Sequence, residues 1–294
     1  MYKITQNKED HFLEIYNTDK SNYAKLYLNQ GASLQELILK NNKIIKNLSP
    51  LSYSKTYASS ILFPFANRIK DGKYSYNNKS YQIDINVEEE NNAMHGFIFN
   101  KTFNLIKKQE NKDYASVTLE YNEIQETAGF PYKYKVVLNY ILKASVLELN
   151  VRVINTDTKT FPFTIGWHPY FSSDNLHDSS VKFKSSKKII TDHRNITTDV
   201  ENITPINELK IEDKKLDHCW CLKNNNITFT TPNYNLNIST SAKENYLQVY
   251  TPPKLNTIAI EPTTGVSNSF NNKIGLNTLK ANDTFNIAWQ LKIE

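Results

Sequence analysis

The sequence predicts an all-β fold made of antiparallel sheets. Apolar and polar residues alternate with period two over long stretches, and no long stretch holds a 3.6-residue periodicity. A parallel α/β sheet, buried on both faces, would instead show strands that are apolar throughout. Turn chemistry agrees. Only 7 glycines are present, but asparagines cluster at Asn77-Asn78, Asn91-Asn92, Asn224 to Asn226 and Asn271-Asn272, and asparagine tolerates the left-handed conformations that close turns.

Strands are expected from about Tyr23 to the end of the chain. Val117, Leu119 and Tyr121 form one apolar row. Leu147, Leu149, Val151 and Val153 form a second, alternating with Glu148, Asn150 and Arg152. Tyr234, Leu236 and Ile238 repeat the pattern, as do Phe285, Ile287, Trp289, Leu291 and Ile293. On a pleated strand each row meets a core while its neighbours face water or a groove. Thr56 to Leu62 reads as a short helix. Lys184 to Asp217, the most polar segment, has weak strand signal and reads as long excursions at one edge. No linker, low-complexity tract or internal repeat divides the chain, so a single domain over residues 1–294 is expected.

Composition narrows the function classes. The 294 residues carry 35 Lys+Arg against 30 Asp+Glu, a formal charge of +5, with 39% hydrophobic and 12% aromatic residues. That is too rich in core-forming residues for a disordered chain. The charge excess is small and forms no dense basic run, so nucleic-acid binding is not indicated. No stretch of about 18 apolar residues offers a membrane span. Met1 to Asn17 lacks the apolar centre of a secretion signal. Cys219 and Cys221, the only cysteines, flank Trp220 on a strand-like segment, a spacing that strains a disulfide. A cytoplasmic setting follows as the simplest expectation.

Four segments interrupt the alternation with chemistry-bearing residues: Phe63 to Ile69 with its Asn67-Arg68 pair, Met94-His95-Gly96-Phe97, Ile165 to Phe171 around His168, and Ile258 to Gly265 around Glu261. Each has a plain structural reading. A histidine among aromatics is commonly a core residue, and Arg68 alone reads as half of an ion pair. Glu261 stands out, because a carboxylate after Ile258-Ala259-Ile260 is half-buried at least and needs a partner or a task. Asp217-His218-Cys219-Trp220-Cys221 has zinc-type ligands, but no second Cys or His pair stands at zinc spacing, so no metal is expected.

Taken together, these segments resemble the aldose 1-epimerase (galactose mutarotase) family, almost over the whole length and in the family's order. The matching stretches are Gly31-Ala32-Ser33-Leu34, Asn67-Arg68-Ile69 with Gly72, His95-Gly96, Gly129-Phe130-Pro131, His168-Pro169-Tyr170-Phe171, Leu216-Asp217, Leu247-Gln248-Val249-Tyr250 and Glu261-Pro262. The resemblance implies a large distorted antiparallel β-sandwich with a sugar groove and little helix. It also implies Glu261 as general base, His168 as general acid and His95 as a second active-site histidine. Asn67, Arg68, Asp217 and Gln248 match sugar-holding positions. The implied partner is a monosaccharide, acted on by a monomer or homodimer. Trp167-His168-Pro169 and Thr251-Pro252-Pro253 depart from well-known galactose mutarotases and mark a divergent member.

Exchanging anomers requires a base on the anomeric hydroxyl and an acid on the ring oxygen, and no cofactor. An ionised Glu beside a protonated His supplies both if the carboxylate lifts the imidazole pKa. Trp167 or a tyrosine such as Tyr170 offers a ring to stack on the sugar, with core packing an equally good reading. Three other readings compete. A hexose-6-phosphate mutarotase would add basic groups, with Lys70, Lys73 and Lys254 as candidates. A glycoside hydrolase would use Asp217 and Glu261, leaving the histidines idle. A carbohydrate-binding protein without catalysis would need neither proton-transfer residue.

Overall fold

The alternating rows become strands. In the computed structural model, which describes all 294 residues, strand Val146–Asn155 buries Leu147, Leu149, Val151 and Val153. It pairs antiparallel with Thr284–Ile293, setting Leu149 opposite Trp289 and Leu147 opposite Leu291. Tyr114–Glu123, Tyr134–Lys143 and Asn235–Thr240 extend the same sheet with the same in-and-out burial.

This sheet has 15 strands. Its path runs from Asn104–Glu110 through the strands just named, then through Asn226–Thr230, Ser180–Thr191, Asp217–Leu222, Tyr246–Tyr250 and Thr257–Thr263 to the short strands Gly166–Trp167 and Ile61–Leu62. A second sheet of five strands is a meander covering Tyr2 to Ile45. A cluster of 62 buried residues takes side chains from both, including Leu13, Leu26, Leu34 and Leu37 from the meander and Leu119, Leu138, Leu149 and Trp289 from the large sheet. The two therefore pack face to face, as a distorted antiparallel β-sandwich. Helix is confined to Tyr53–Thr56 and Ser269–Asn272 plus a 3₁₀ turn at Glu88–Glu90. No helix is long and apolar enough to cross a membrane.

Four local expectations need correction. Strands begin at Tyr2 rather than Tyr23, because Tyr2, Ile4, Leu13 and Ile15 are buried between the charges that obscured them. The helix lies at Tyr53–Thr56, before the expected Thr56–Leu62, and stops where Tyr57 takes a left-handed conformation (φ 50°). Asn271-Asn272 belongs to a helical turn, although Asn77, Asn78 and Asn91 do close turns with positive φ. Finally, Lys184–Asp217 is no loose excursion. Ser180–Thr191 and Thr197–Lys210 form a long antiparallel ribbon. Most residues of Thr197–Lys210 are exposed, so that strand has no period-two apolar row for the sequence to display.

Candidate active site

Two strand pairings assemble the site. The first joins Thr257–Thr263 to the segment around His168. Gly166 pairs with Thr263 and Tyr170 with Ala259, so His168 falls at the register position opposite Glu261. On the other side of Thr257–Thr263, Gln248 pairs with Glu261, and Cys219 pairs with Gln248. One cross-strand row thus runs Cys219, Gln248, Glu261, His168, and directly opposed residues share a face. Every residue of Thr257–Thr263 is buried, which explains how a carboxylate comes to stand in an apolar strand.

The second pairing sets Arg68 opposite Met94 and Ile69 opposite Ala93. One step further, the His95 backbone N–H donates to the Asn67 carbonyl at 2.9 Å. Asn67 (φ 61°) and His95 (φ 65°) both sit in the left-handed region, which turns the two segments out of the ladder. Gly96 allows this bend. A Cβ there would lie 2.2 Å from the Phe63 carbonyl oxygen, and its φ is +72°.

All seven residues singled out in the sequence line one cavity of about 310 Å³: Asn67, Arg68, His95, His168, Asp217, Gln248 and Glu261. The sequence did not point to Lys55, Tyr57, Glu90 or Asn195, which line it as well. They come from the short helix, the 3₁₀ turn and the tip of the polar ribbon, where no motif marks them. Lys70, Lys73 and Lys254 lie outside the cavity lining, and Lys254 Nζ donates instead to the Ser49 carbonyl. Trp167 is a core residue rather than a sugar platform. It is fully buried, donates from Nε1 to the Ser59 carbonyl at 3.1 Å and packs on Trp289. Tyr170 does line the cavity, but its ring stacks on His168 at 4.9 Å and 12°.

His168 Nε2 stands 3.5 Å from Glu261 Oε1. Both side chains are almost wholly buried. Burial pushes Glu261 well above the usual carboxyl range, with the negative field of Asp217 adding to it and Arg68 opposing. Burial pushes the His168 imidazole down to about 3. His95 is lowered too, by burial first and then by His168 and Arg68, and its ring meets that of His168 edge-on at 5.2 Å. The condition that the carboxylate lift the imidazole is therefore not met in the resting site, because burial dominates the shift of both groups. Burial thus favours the uncharged pair, a carboxylic acid beside a neutral imidazole, over the ion pair. Neither His168 nor His95 has a partner for Nδ1, so aromatic packing rather than hydrogen bonding sets their ring positions.

Polar groups fill the remaining wall. Arg68 forms a two-pronged ion pair with Glu90, through Nε to Oε2 and through Nη2 to Oε1 at 2.9 Å, and its Nη1 donates to Asn67 Oδ1 at 3.1 Å. Three of the five guanidinium donors are thus engaged, and the rest stay available to a ligand. Burial disfavours charge on Glu90, but Arg68, Asn195 and Asn92 outweigh it and hold its carboxyl below the usual value. Gln248 Nε2 donates to Asp217 Oδ1 at 2.6 Å, which leaves the Gln248 carbonyl for a hydroxyl donor. Asp217 keeps an exposed edge, yet crowding by the walls raises its carboxyl, with Arg68 opposing. The cysteines are both free, with Cys219 buried beneath this row. On that strand His218 faces opposite to Asp217 and Cys219.

A model of the aldose 1-epimerase family matches residues 16–292. The chain belongs to the aldose 1-epimerase family. Among curated proteins, it is 26% identical over 286 residues to the uncharacterized protein YihR of Escherichia coli, covering 92% of this chain and 91% of that protein. A galactose mutarotase-like protein from Clostridium acetobutylicum shares its fold at a TM-score of 0.87 and 23% identity, covering 100% of this chain and 98% of that one. The galactose 1-epimerase of Lactobacillus acidophilus superposes at 0.82 with 19% identity, covering 100% and 98%. This family member therefore carries the galactose mutarotase-like fold, with the buried Glu261 and His168 side by side in its polar cavity.

Proposed function

We propose that this protein is an aldose 1-epimerase, a mutarotase that interconverts the α and β anomers of a hexose such as galactose or glucose. One observation carries the reading: Glu261 and His168 lie 3.5 Å apart at the bottom of a cavity whose other walls offer amide, guanidinium and carboxylate partners. The anomeric oxygen and the ring oxygen hang from one carbon, so a base for the first and an acid for the second must stand this close.

The uncharged resting pair suits the chemistry. Ring opening needs one proton shared between two groups. A protonated Glu261 with neutral His168 holds the same number as an ionised Glu261 with protonated His168. In the ionised form Glu261 takes the anomeric proton while His168 protonates the ring oxygen. The uncharged form serves reclosure: Glu261 gives its proton to the carbonyl oxygen while His168 takes one from the C5 hydroxyl. The bond between C1 and the ring oxygen breaks, the aldehyde turns about C1–C2, and reclosure on the other face returns the protons by the reverse path. Each positioned group contributes about 10²–10⁴-fold, enough together for a reaction that already proceeds unaided in water. Asn67, Arg68, Asp217 and Gln248 hold the hydroxyls, and His95 supports the developing charge beside His168.

Polarimetry on freshly dissolved α-galactose and α-glucose tests this reading. Equilibration should be faster with the protein than in buffer, and Glu261→Gln should abolish the acceleration. If neither sugar equilibrates faster with folded protein, the reading is lost. The sugar-phosphate reading has lost its three lysines to surfaces outside the cavity. Lys55 alone is a weak basis for a phosphate.

A further inference from the structure

Resting on the mutarotase reading, we infer that Arg194, outside the cavity, is a positioning residue for the sugar site, holding Glu90 and through it Arg68. Arg194 sits at the tip of the ribbon formed by Ser180–Thr191 and Thr197–Lys210. Its side chain reaches a part of the chain more than 100 residues away. Nε donates to the Glu90 carbonyl at 2.7 Å, and Nη2 donates to the Asn91 carbonyl at 2.9 Å, to Asn92 Oδ1 at 3.1 Å and to Asp71 Oδ1 at 2.7 Å. Asn92 returns a bond from Nδ2 to the Arg194 carbonyl at 2.9 Å.

These bonds converge on the turn that carries Glu90. Glu88–Glu90 is a single 3₁₀ turn that ends on left-handed Asn91 (φ 50°), too short to fix its own geometry. Without Arg194 the carbonyls of Glu90 and Asn91 lose their guanidinium donor. The next residue, Asn195, completes the device: its Nδ2 donates to Glu90 Oε1 at 2.8 Å, its carbonyl accepts from Ser267 Oγ at 2.7 Å, and its side chain lines the cavity. The ribbon tip thus grips the Glu90 backbone with one residue and the Glu90 carboxylate with the next. Arg68 inherits its position from that carboxylate. The acid–base pair lies on other strands and does not depend on the ribbon tip.

A split between KM and kcat tests the inference. In mutarotation assays with galactose and glucose, Arg194→Ala should raise KM about tenfold or more while kcat stays within about threefold. Arg194→Lys keeps the charge but not the fork of donors, so it should resemble the alanine variant. Isothermal titration with galactose should show the same weakening, and thermal melting should show a folded protein. A purely structural role would lower the melting temperature and the active fraction with KM unchanged, which overturns the inference. If the alanine variant does not fold, the lysine variant decides by the same split. Wild-type protein idle on both sugars removes the mutarotase reading and this inference with it. Active wild type with unchanged KM in folded variants removes this inference alone.

Discussion

Burying a neutral histidine leaves a signature in stability against pH that can be read without any sugar. Folding holds His168 with a pKa of about 3, against 6.5 for an unperturbed imidazole. The unfolded chain therefore binds a proton that the folded chain refuses. The penalty is absent above pH 6.5, grows as pH falls, and levels off once the folded pKa is passed. At pH 4 the unfolded imidazole is protonated by 2.5 pH units and the folded one almost not at all. At about 1.4 kcal/mol per unit this amounts to about 3 kcal/mol. Replacing His168 with Gln removes that term, whatever fixed cost the lost stacking on Tyr170 imposes. Urea unfolding of both proteins at pH 7.5 and pH 4 isolates it. Wild type should lose about 3 kcal/mol more than His168→Gln over this interval, while the surface carboxylates cancel in the difference. Equal losses in the two proteins would show that His168 is protonated in the folded state near its ordinary pKa, and the uncharged resting pair would have to be abandoned.

Three further outcomes follow from the same geometry. The acid limb of kcat/KM should lie near pH 3 to 4 rather than near 6.5, because the free enzyme's imidazole is pushed down; a limb centred on 6.5 in a pH–rate profile contradicts this. Glu261→Gln should be inactive yet more stable than wild type, by a margin that widens from pH 5 to pH 9. The raised carboxyl costs stability as pH climbs above its unfolded pKa, and the amide has no charge to bury; melting curves that do not diverge with pH count against it. Gly96→Ala should lose about 2 kcal/mol or more in urea unfolding, since φ +72° and the Phe63 carbonyl 2.2 Å from the new Cβ both resist a side chain. Turnover should fall with it as His95 is displaced.

The sequence disclosed the rows of alternating side chains plainly, because Leu147 to Val153 and Phe285 to Ile293 each face a packed core on one side and water on the other. It also disclosed the cavity residues that stand against their surroundings, such as Glu261 at the end of an apolar strand. Register was invisible. That His168 opposes Glu261 depends on Gly166 pairing with Thr263 nearly a hundred residues away. Protonation was left open for a related reason: the attraction of neighbours can be guessed from residue types, whereas desolvation depends on how completely both are covered. Arg194 and Asn195 escaped notice because they sit in the turn that leads into Thr197–Lys210, a mostly exposed strand that shows neither a period-two apolar row nor a motif.

The site divides its labour between rigid and adjustable parts of the fold. Glu261 and His168 stand on a wholly buried strand and its cross-strand neighbour, where packing density resists displacement. That is where a proton pair must be, since an error of an ångström between acid and base is costly. Other groups of the cavity wall arrive on turns: Asn67 and His95 on left-handed bends, Glu90 on one 3₁₀ turn, Asn195 on a ribbon tip. Turns can vary between family members without disturbing the buried strand. On the mutarotase reading proposed above, the turn residues and the polar contacts that fix them would tune which sugar fits, while the reaction itself would stay with Glu261 and His168.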